Sequence, residues 1–184
     1  MSIVLLRHTE VQEEFIGAYN GHIDIPLSAK GQADAKKLSH KFQSMKFEKI
    51  FCSDLLRAKQ TLEALQLSQD VTFTPFLREK SWGENEGKKY EEIVESSNQE
   101  YENFSQWLEV VGGESVDDFT QRVVDFFCTI EEQNVLVVTH SGVIKIVLAK
   151  LYNLTLEEAF SQTLGYGTFI EIDKKDLEQL HCFS

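Results

Sequence analysis

The sequence predicts an α/β protein with three layers (α/β/α). Its sheet would be mostly parallel and doubly wound, with an antiparallel edge and a helical cap insertion. Residues 3–6 and 135–138 are short, unbroken apolar runs, typical of strands buried on both faces of a parallel sheet. Helix-like patterns alternate with these and weaker strand patterns along the chain, which favours helices packed on both faces of one sheet.

The first half of the chain contains turn, cap and strand signals that divide it into five elements. Ala35, Leu38 and Phe42 recur at helical spacing, and Pro75 suits only an edge strand. The predicted elements are a strand at 2–7, a helix from the cap Ser28 to about 45, a strand at 49–52, a helix at 55–67 capped by Asp54, and an edge strand at 72–77.

The second half begins with a charged segment that lacks a strong strand pattern. Residues 79–115 are therefore predicted to form a cap over the site, partly helical over 88–108. The remaining elements are a helix from about 115 with a wide apolar stripe, a strand at 134–139, a helix at 142–152, and a closing hairpin formed by 168–172 and 177–183.

Composition limits the classes of protein to which the chain can belong. Its 184 residues, 42% hydrophobic, suit one well-cored domain over 1–184. A net charge of −12 argues against nucleic acid or an anionic membrane as a partner, and no apolar stretch approaches the ~18 residues of a membrane span. Three widely spaced cysteines and an N-terminus without a signal pattern predict reduced thiols in a cytoplasmic protein.

Five ionisable residues fall where predicted strands end and loops or helices begin: Arg7, His8, Arg57, Glu79 and His140. In open α/β sheets ligands bind beyond the carboxyl ends of the strands. Taken alone, an arginine there is usually a solvated rim residue, and a strand-end histidine is more often structural than catalytic. Their coincidence at several junctions instead indicates one site for an anionic group.

Such a set of side chains suits phosphoryl transfer. Arginine binds phosphate oxygens through paired, charge-assisted hydrogen bonds, and a neutral histidine is a competent nucleophile near neutral pH. A second, protonated histidine would stabilise charge on the transferring group. A carboxyl group held protonated would deliver a proton to the leaving group and then activate water as a base.

The order and spacing of these residues resemble the histidine phosphatase superfamily, the phosphoglycerate-mutase-like enzymes. The resemblance covers residues 3 to about 150. It is carried by five segments: Leu6-Arg7-His8-Thr9-Glu10, Ser53-Asp54-Leu55-Leu56-Arg57-Ala58-Lys59-Gln60-Thr61, Leu77-Arg78-Glu79 through Glu86-Gly87, Gly112-Gly113-Glu114-Ser115 through Arg122-Val123, and Val138-Thr139-His140-Ser141-Gly142-Val143-Ile144.

The resemblance implies a role for each of the five strand-end residues. His8 would be the nucleophile that carries a phosphohistidine. Arg7, Arg57 and His140 would form the phosphate pocket, and Glu79 would be the proton donor and later the base. The resemblance implies neither a metal nor a cofactor.

Three further residues are candidates for substrate binding, and two positions depart from the family pattern. Asn20 and Gly21 fall where the family places ligand-contacting loop residues, and Ser141 replaces a frequent glycine and offers a hydroxyl. Thr9 stands in place of the common glycine, and Glu14 in place of the usual asparagine. The second change removes a phosphate donor, for which Asn20 is a candidate replacement, and adds negative charge.

The reaction expected from this resemblance is hydrolysis of a small phosphomonoester. The chain is shorter than the cofactor-dependent mutases, and its glutamate-rich 79–115 segment would disfavour a doubly anionic sugar acid. The loop over 17–28 is similar to that of α-ribazole-5′-phosphate phosphatases of cobalamin biosynthesis. Trp82, Tyr90 and Trp107 would either stack on an aromatic base or pack within the cap.

Other interpretations stay open at this point. They are a broad-specificity small-molecule phosphatase, a phosphoglycerate mutase-like enzyme, a phosphoprotein phosphatase, and a catalytically weak phosphate-binding regulatory module. The sequence also leaves the oligomeric state open, with a homodimer among the options.

Overall fold

In a computed structural model, which describes residues 2–97, 100–177 and 180, a five-stranded sheet forms the centre of the fold. Its strands are β1 (Ser2–Arg7), β2 (Lys49–Ser53), β3 (Val71–Thr74), β4 (Asn134–Thr139) and β5 (Phe169–Asp173). Their order is β3-β2-β4-β1-β5; the first four are parallel, and β5 runs antiparallel to β1. The predicted α/β class, with its mostly parallel sheet and antiparallel edge, is confirmed.

Helices cover both faces of this sheet. In the described residues the helices are α1 (Ala29–Gln43), α2 (Leu56–Leu65), α3 (Tyr90–Ser96), α4 (Phe104–Val111), α5 (Val116–Cys128), α6 (Ser141–Tyr152), α7 (Leu156–Ser161) and α8 (Lys174–Leu177). Of these, α3 and α4 belong to the 79–115 segment and pack in a cluster of their own rather than on the sheet. Ile3 and Leu5 of β1 face the cluster formed with α5 and α6, whereas Val4 and Leu6 face the cluster formed with α1 and α2. Because both faces of β1 are buried, its sequence is apolar without alternation.

The start of α1 is fixed by the predicted cap. The Ser28 hydroxyl accepts a hydrogen bond from the Gly31 backbone N–H at 2.9 Å and donates to the Glu10 carboxylate at the same distance. The helix ends at Gln43, two residues before the expected boundary. This cap joins α1 to the loop that leaves β1.

Two expectations in the middle of the chain are wrong. Asp54 does not cap α2, whose cap position is Leu55, because its carboxylate instead accepts two hydrogen bonds of 2.7 and 2.6 Å from Arg78. A bidentate, charge-assisted pair of this kind is stronger than a single cap bond. Strand β3 does lie at the sheet edge, but it ends at Thr74, and a 3₁₀ turn over Pro75–Leu77 follows it.

The predicted C-terminal hairpin is only half correct. Strand β5 forms the antiparallel edge, but the chain then turns into α8, so Leu177 lies in a helix rather than a second strand. Leu177 and Leu180, three residues apart, are both buried in the cluster that includes α5 and α6, which explains the helical turn. The rest of the predicted strand, at 178–179 and 181–183, lies outside the described residues. Helix α7 was not anticipated.

The 79–115 segment, expected to be a cap, packs around its own apolar cluster. The cluster contains Trp82, Ile93, Trp107, Leu108 and Val111, all buried, and is distinct from the two clusters on the sheet. None of the helices in the described residues has the length and apolar character needed to cross a bilayer.

Replacing Ser28 by alanine should lower the free energy of unfolding by about 1 kcal/mol, because the Gly31 N–H loses its side-chain acceptor. Urea unfolding of the variant and the parent protein measures this difference. Ser39→Ala is the matched control, since Ser39 lies inside α1 and its hydroxyl bonds only a helix carbonyl; that variant should be neutral or slightly stabilising. Equal effects of the two substitutions would contradict the cap assignment.

Candidate active site

Two histidines leave the sheet side by side at the carboxyl edge of neighbouring parallel strands. Arg7 of β1 pairs in register with Thr139 of β4, so His8 and His140 are the residues that follow at the same edge. The His8 backbone N–H donates to the Thr139 carbonyl at 2.9 Å, and the two ring centroids lie 5.1 Å apart. Strand register therefore brings together two residues that are 132 positions apart in the sequence.

The hydrogen bonding of His8 determines which ring nitrogen is free. Its Nδ1 lies 2.8 Å from the Thr9 carbonyl oxygen. A carbonyl oxygen can only accept, so Nδ1 carries the proton and Nε2 keeps its lone pair. Burial, followed by the charges of Arg57 and Arg7, holds the pKa of His8 well below its usual value. His8 is therefore a neutral imidazole with an available Nε2.

His140 is also neutral in this structure, whereas the sequence analysis assigned it a positive charge. The Arg57 Nε–H donates to Nδ1 of His140 at 3.2 Å, so Nδ1 must be unprotonated. The proton then lies on Nε2, which donates to the Ser53 hydroxyl at 2.8 Å. Burial and, next, the charge of Arg57 hold the pKa of His140 well below its usual value.

Arg57 is a buried residue, not the solvated rim residue that is commonest at such a position. It is 1% exposed and belongs to the first turn of α2. Its guanidinium also donates to three carbonyl groups of one loop, those of Asn20, Gly21 and Ile23, at 2.7 to 2.8 Å. Burial lowers its pKa to about 10, so it stays charged at neutral pH. Arg57 thus fixes the 20–23 loop beside the histidines.

Arg7 supplies a second cation at the site. Its guanidinium carbon lies 4.1 Å from the centroid of the Tyr166 ring, and Nη1 donates to the Leu164 carbonyl. Its Nε is buried and has no hydrogen-bond partner among the described residues. Burial lowers the pKa of Arg7, and Tyr166 and Glu79 partly oppose this shift. Arg7 therefore has unused hydrogen-bond capacity at the site.

Glu79 is held against the first turn of α6. Its Oε2 accepts from the Gly142 backbone N–H at 2.9 Å, and its Oε1 accepts from the Lys80 N–H at 3.1 Å. A Cβ at position 142 would lie 2.0 Å from Oε1 of Glu79, so only glycine leaves room for the carboxylate. The glycine at position 142 is therefore explained by the carboxylate that lies against it.

Arg122 and Glu114 hold the turn that carries Glu79. The two side chains form a bidentate ion pair with both distances at 2.8 Å. The Arg122 guanidinium also donates to the carbonyls of Phe76 and Arg78 at 2.7 and 3.1 Å. This network explains why the Gly-Gly-Glu-Ser and Arg-Val parts of the sequence resemblance occur together, although neither contributes a reacting group.

These side chains surround one cavity of about 320 Å³. Its lining includes all the predicted site residues except Gly21 and His140: Arg7, His8, Asn20, Arg57, Glu79 and Ser141. Gly21 contributes its carbonyl to Arg57, and His140 lies behind Arg57 and beside His8. Among the described residues, no group of three or more His, Cys, Asp or Glu side chains could hold a metal ion.

Comparison with known proteins identifies the family. The sequence model of the histidine phosphatase superfamily (branch 1) matches residues 3–179. The chain belongs to the histidine phosphatase superfamily.

Its relatives include two curated proteins and a solved structure with similar coverage. The chain is 30% identical over 185 residues to the adenosylcobalamin/alpha-ribazole phosphatase of Escherichia coli, covering 94% of this chain and 90% of that protein. The corresponding protein of Salmonella typhimurium is 29% identical, with the same coverage. The crystal structure of the alpha-ribazole phosphatase from Shigella flexneri gives a TM-score of 0.80 at 29% identity, covering 94% of this chain and 90% of that one.

The two departures from the superfamily pattern have different consequences in the structure. Glu14 is exposed and does not line the cavity, so it adds no charge there. Thr9 is buried, and its backbone N–H donates to the Thr61 hydroxyl at 3.1 Å. Asn20 donates through Nδ2 to the Phe15 carbonyl, which leaves its buried Oδ1 without a partner among the described residues.

Sequence analysis missed several residues of the cavity wall. Tyr166 lies against both Arg7 and His8, but nothing in the loop before β5 distinguishes it. Lys145 lines the cavity one helical turn after Ser141, a spacing that would have revealed it. Of the three aromatic residues singled out, Trp82 and Tyr90 line the cavity, whereas Trp107 is buried and donates to the Tyr19 hydroxyl at 2.6 Å.

Acid should destabilise the protein through the two buried histidines. Unfolded histidine has a pKa of about 6.5, so the unfolded chain binds more protons than the folded chain below that pH. The free energy of unfolding should therefore fall as the pH drops from 6.5 towards the lower folded-state pKa values, by up to about 1.4 kcal/mol per pH unit for each ring.

Urea unfolding between pH 7.5 and 5 measures this slope, and a His8→Gln/His140→Gln double variant should show a shallower one. ¹⁵N NMR should find the proton of His8 on Nδ1 and that of His140 on Nε2. Identical slopes for the two proteins, or titration of both rings at or above pH 6.5, would show that the histidines are not held neutral.

Proposed function

We propose that the protein is a phosphomonoesterase that acts through a phosphohistidine on His8, with α-ribazole 5′-phosphate as its substrate. The observation that carries this proposal is the state of His8. It is a buried, neutral ring that lines the cavity, with Nδ1 bonded to a carbonyl and Nε2 free for attack. A histidine in this state is an activated nucleophile for phosphorus.

The first chemical step forms a nitrogen–phosphorus bond. The Nε2 lone pair of His8 attacks phosphorus, the bond from phosphorus to the ester oxygen breaks, and its electron pair stays on that oxygen. Glu79, protonated in the substrate complex, donates its proton there and releases an alcohol. Arg7 and Arg57 neutralise charge on the phosphoryl oxygens without a change of protonation.

The second step is the reverse transfer to water. Glu79, now a carboxylate, accepts a proton from water as the water oxygen attacks phosphorus. The nitrogen–phosphorus bond breaks, and its electron pair returns to Nε2 of His8. Inorganic phosphate leaves, and the proton that Glu79 gave in the first step has been replaced.

His140 takes part in this scheme by gaining a proton when an anion binds. Its pKa is low because burial and the charge of Arg57 disfavour the imidazolium. A dianionic phosphoryl group beside it would oppose both effects and favour proton uptake at Nδ1. Arg57 would then turn its Nε–H from His140 towards the phosphoryl oxygens.

The choice of substrate is supported by the relatives and by the walls of the cavity. The relatives in Escherichia coli, Salmonella typhimurium and Shigella flexneri are named as alpha-ribazole phosphatases. Tyr19, Trp82 and Tyr90 line the cavity, and a flat aromatic base would pack against such rings. Contrary to the expectation from the 79–115 segment, the cavity lining is not rich in glutamate, because Glu79 is the one carboxylate of that segment that lines it among the described residues.

The cytoplasm is the proposed compartment. Cys52 and Cys128 are free thiols, and Cys52 is fully buried in the sheet, where burial raises its pKa and suppresses thiolate chemistry. Reduced cysteines of this kind suit a reducing compartment. Cys182 lies outside the described residues.

Turnover of ³²P-labelled α-ribazole 5′-phosphate, quenched with alkaline detergent, should trap base-stable, acid-labile phosphate on His8. Mass spectrometry of the peptide that contains residue 8 locates the label, and His8→Ala should abolish both the label and turnover. Phosphate on a serine would show that His8 is not the nucleophile. Tight phosphate binding without turnover would show that the protein is a binding module and not an enzyme.

Glu79→Gln should reduce kcat about 100-fold or more for butyl phosphate, whose alcohol needs a proton on leaving, but much less for 4-nitrophenyl phosphate. Gly142→Ala should show the same selectivity, because its methyl group occupies the position of the Glu79 carboxylate. The control is Gly142→Ala in a Glu79→Gln background, where the extra loss should be small. Additive losses, or equal losses for both substrates, would contradict this role of Glu79.

A further inference from the structure

Lys145 is a cation of the cavity that the proposed mechanism does not use. It lies on α6, four residues after Ser141, and therefore on the same face of the helix. Helical side chains lean towards the N-terminus of their helix, which brings this stem back to the carboxyl edge of the sheet. Lys145 consequently lines the same cavity as His8 and Glu79.

The positive charge of the Lys145 ammonium group has few partners in the structure. Its Nζ donates to the Phe160 carbonyl at 3.1 Å and lies 5.1 Å from the centroid of the Phe160 ring. No carboxylate of the described residues lies within 4.0 Å of it, although the chain carries a net charge of −12. An ammonium has three donors, so two remain for a group that enters the cavity.

The surroundings of Lys145 place it on the side of the cavity that holds Glu79. Burial lowers its pKa, the Glu79 carboxylate raises it, and the Arg7 charge lowers it. Arg7 lowers the pKa of both Lys145 and His8, whereas Glu79 acts on that of Lys145. Phe160, the residue that Lys145 bonds, lines the cavity and also a small apolar space beside Glu79 and Trp82. The proton donor faces the leaving oxygen, so this is the leaving-group side.

We propose that Lys145 is a specificity-determining residue that binds an oxygen of the leaving group, close to the ester oxygen. This inference rests on the proposed function. The shared chemistry is an acceptor oxygen, which either a sugar hydroxyl or a carboxylate provides. A ribose 5-phosphate carries hydroxyl groups of this kind, whereas a simple alkyl phosphate carries none.

The test compares kcat/KM for three phosphate esters of aliphatic alcohols: ribose 5-phosphate, phosphoserine and butyl phosphate. All three leaving groups need a proton, so a defect at Glu79 would affect them together. Lys145→Met keeps the length and packing of the stem against Phe160 but removes the charge. Lys150→Met, in the last turn of the same helix and outside this cavity, is the matched control.

Lys145→Met should lower kcat/KM about 10-fold to 100-fold for an ester whose oxygen it binds, since a hydrogen bond to a charged group is lost. Butyl phosphate should change by less than about threefold, and Lys150→Met should affect none of the three. A selective loss with ribose 5-phosphate identifies a hydroxyl as the bound group, and one with phosphoserine identifies a carboxylate. Thermal unfolding checks that both variants fold.

Two results would overturn the inference. Equal losses of kcat/KM for all three esters would show that Lys145 acts on the phosphoryl group or supports Glu79. Unchanged kinetics would show that Lys145 does not take part in substrate recognition. Either result can be obtained only if the parent protein hydrolyses butyl phosphate. Either one would therefore reject the role of Lys145 without rejecting the proposed phosphatase function. If the parent protein hydrolyses none of the esters and no α-ribazole 5′-phosphate, the proposed function fails and this inference fails with it.

Discussion

The buried guanidinium of Arg57 is the interaction on which the site depends. Four of its five N–H groups are used within the protein, by three loop carbonyls and by Nδ1 of His140. Without Arg57, the Gly21 carbonyl and Nδ1 of His140 would be buried and unpaired, each at a cost of about 1–3 kcal/mol, and two partly buried carbonyls would also lose their partner. Burial and, next, the same charge hold the pKa values of His8 and His140 well below their usual value. One side chain therefore shapes the loop, orients one histidine and helps to keep both neutral.

The acid–base side of the site is built independently of Arg57. Glu79 is held by backbone N–H groups, and the turn that carries it is tied to α5 by the Arg122 guanidinium. The ion pair between Arg122 and Glu114 joins the end of the cap to α5. The residues proposed for phosphate binding and those proposed for proton transfer are thus supported by separate parts of the fold that meet at one cavity.

The sequence predicted the architecture and the edge of the sheet at which the cavity lies because both depend on strands that are apolar on two faces. Once β1 and β4 are recognised as parallel strands, His8 and His140 must emerge at the same edge. The charge of His140 could not be predicted, because it depends on which ring nitrogen meets Arg57. The supposed Asp54 cap failed for a similar reason: Arg78, which competes for the carboxylate, is distant in sequence and close only in the fold.

The sequence-based predictions were wrong or incomplete where tertiary packing overrides the local sequence pattern. Leu177 comes soon after a strand, and its residue type would fit a second strand. Because it packs into the hydrophobic cluster that includes α5 and α6, the chain is helical there instead. Tyr166 is recognisable only from its position over Arg7. Lys145 differs, because its helical spacing from Ser141 was visible in the sequence and its significance became clear only with the cavity.

Both tryptophans of the chain, Trp82 and Trp107, belong to the cluster in the 79–115 segment. Intrinsic fluorescence excited at the red edge of absorption therefore reports on that segment, while the sheet and its flanking helices are silent. Trp82 also borders the cavity and has Tyr19 edge-on at 5.0 Å. The native chain thus carries a built-in optical probe in the wall of the cavity, which needs no engineered label.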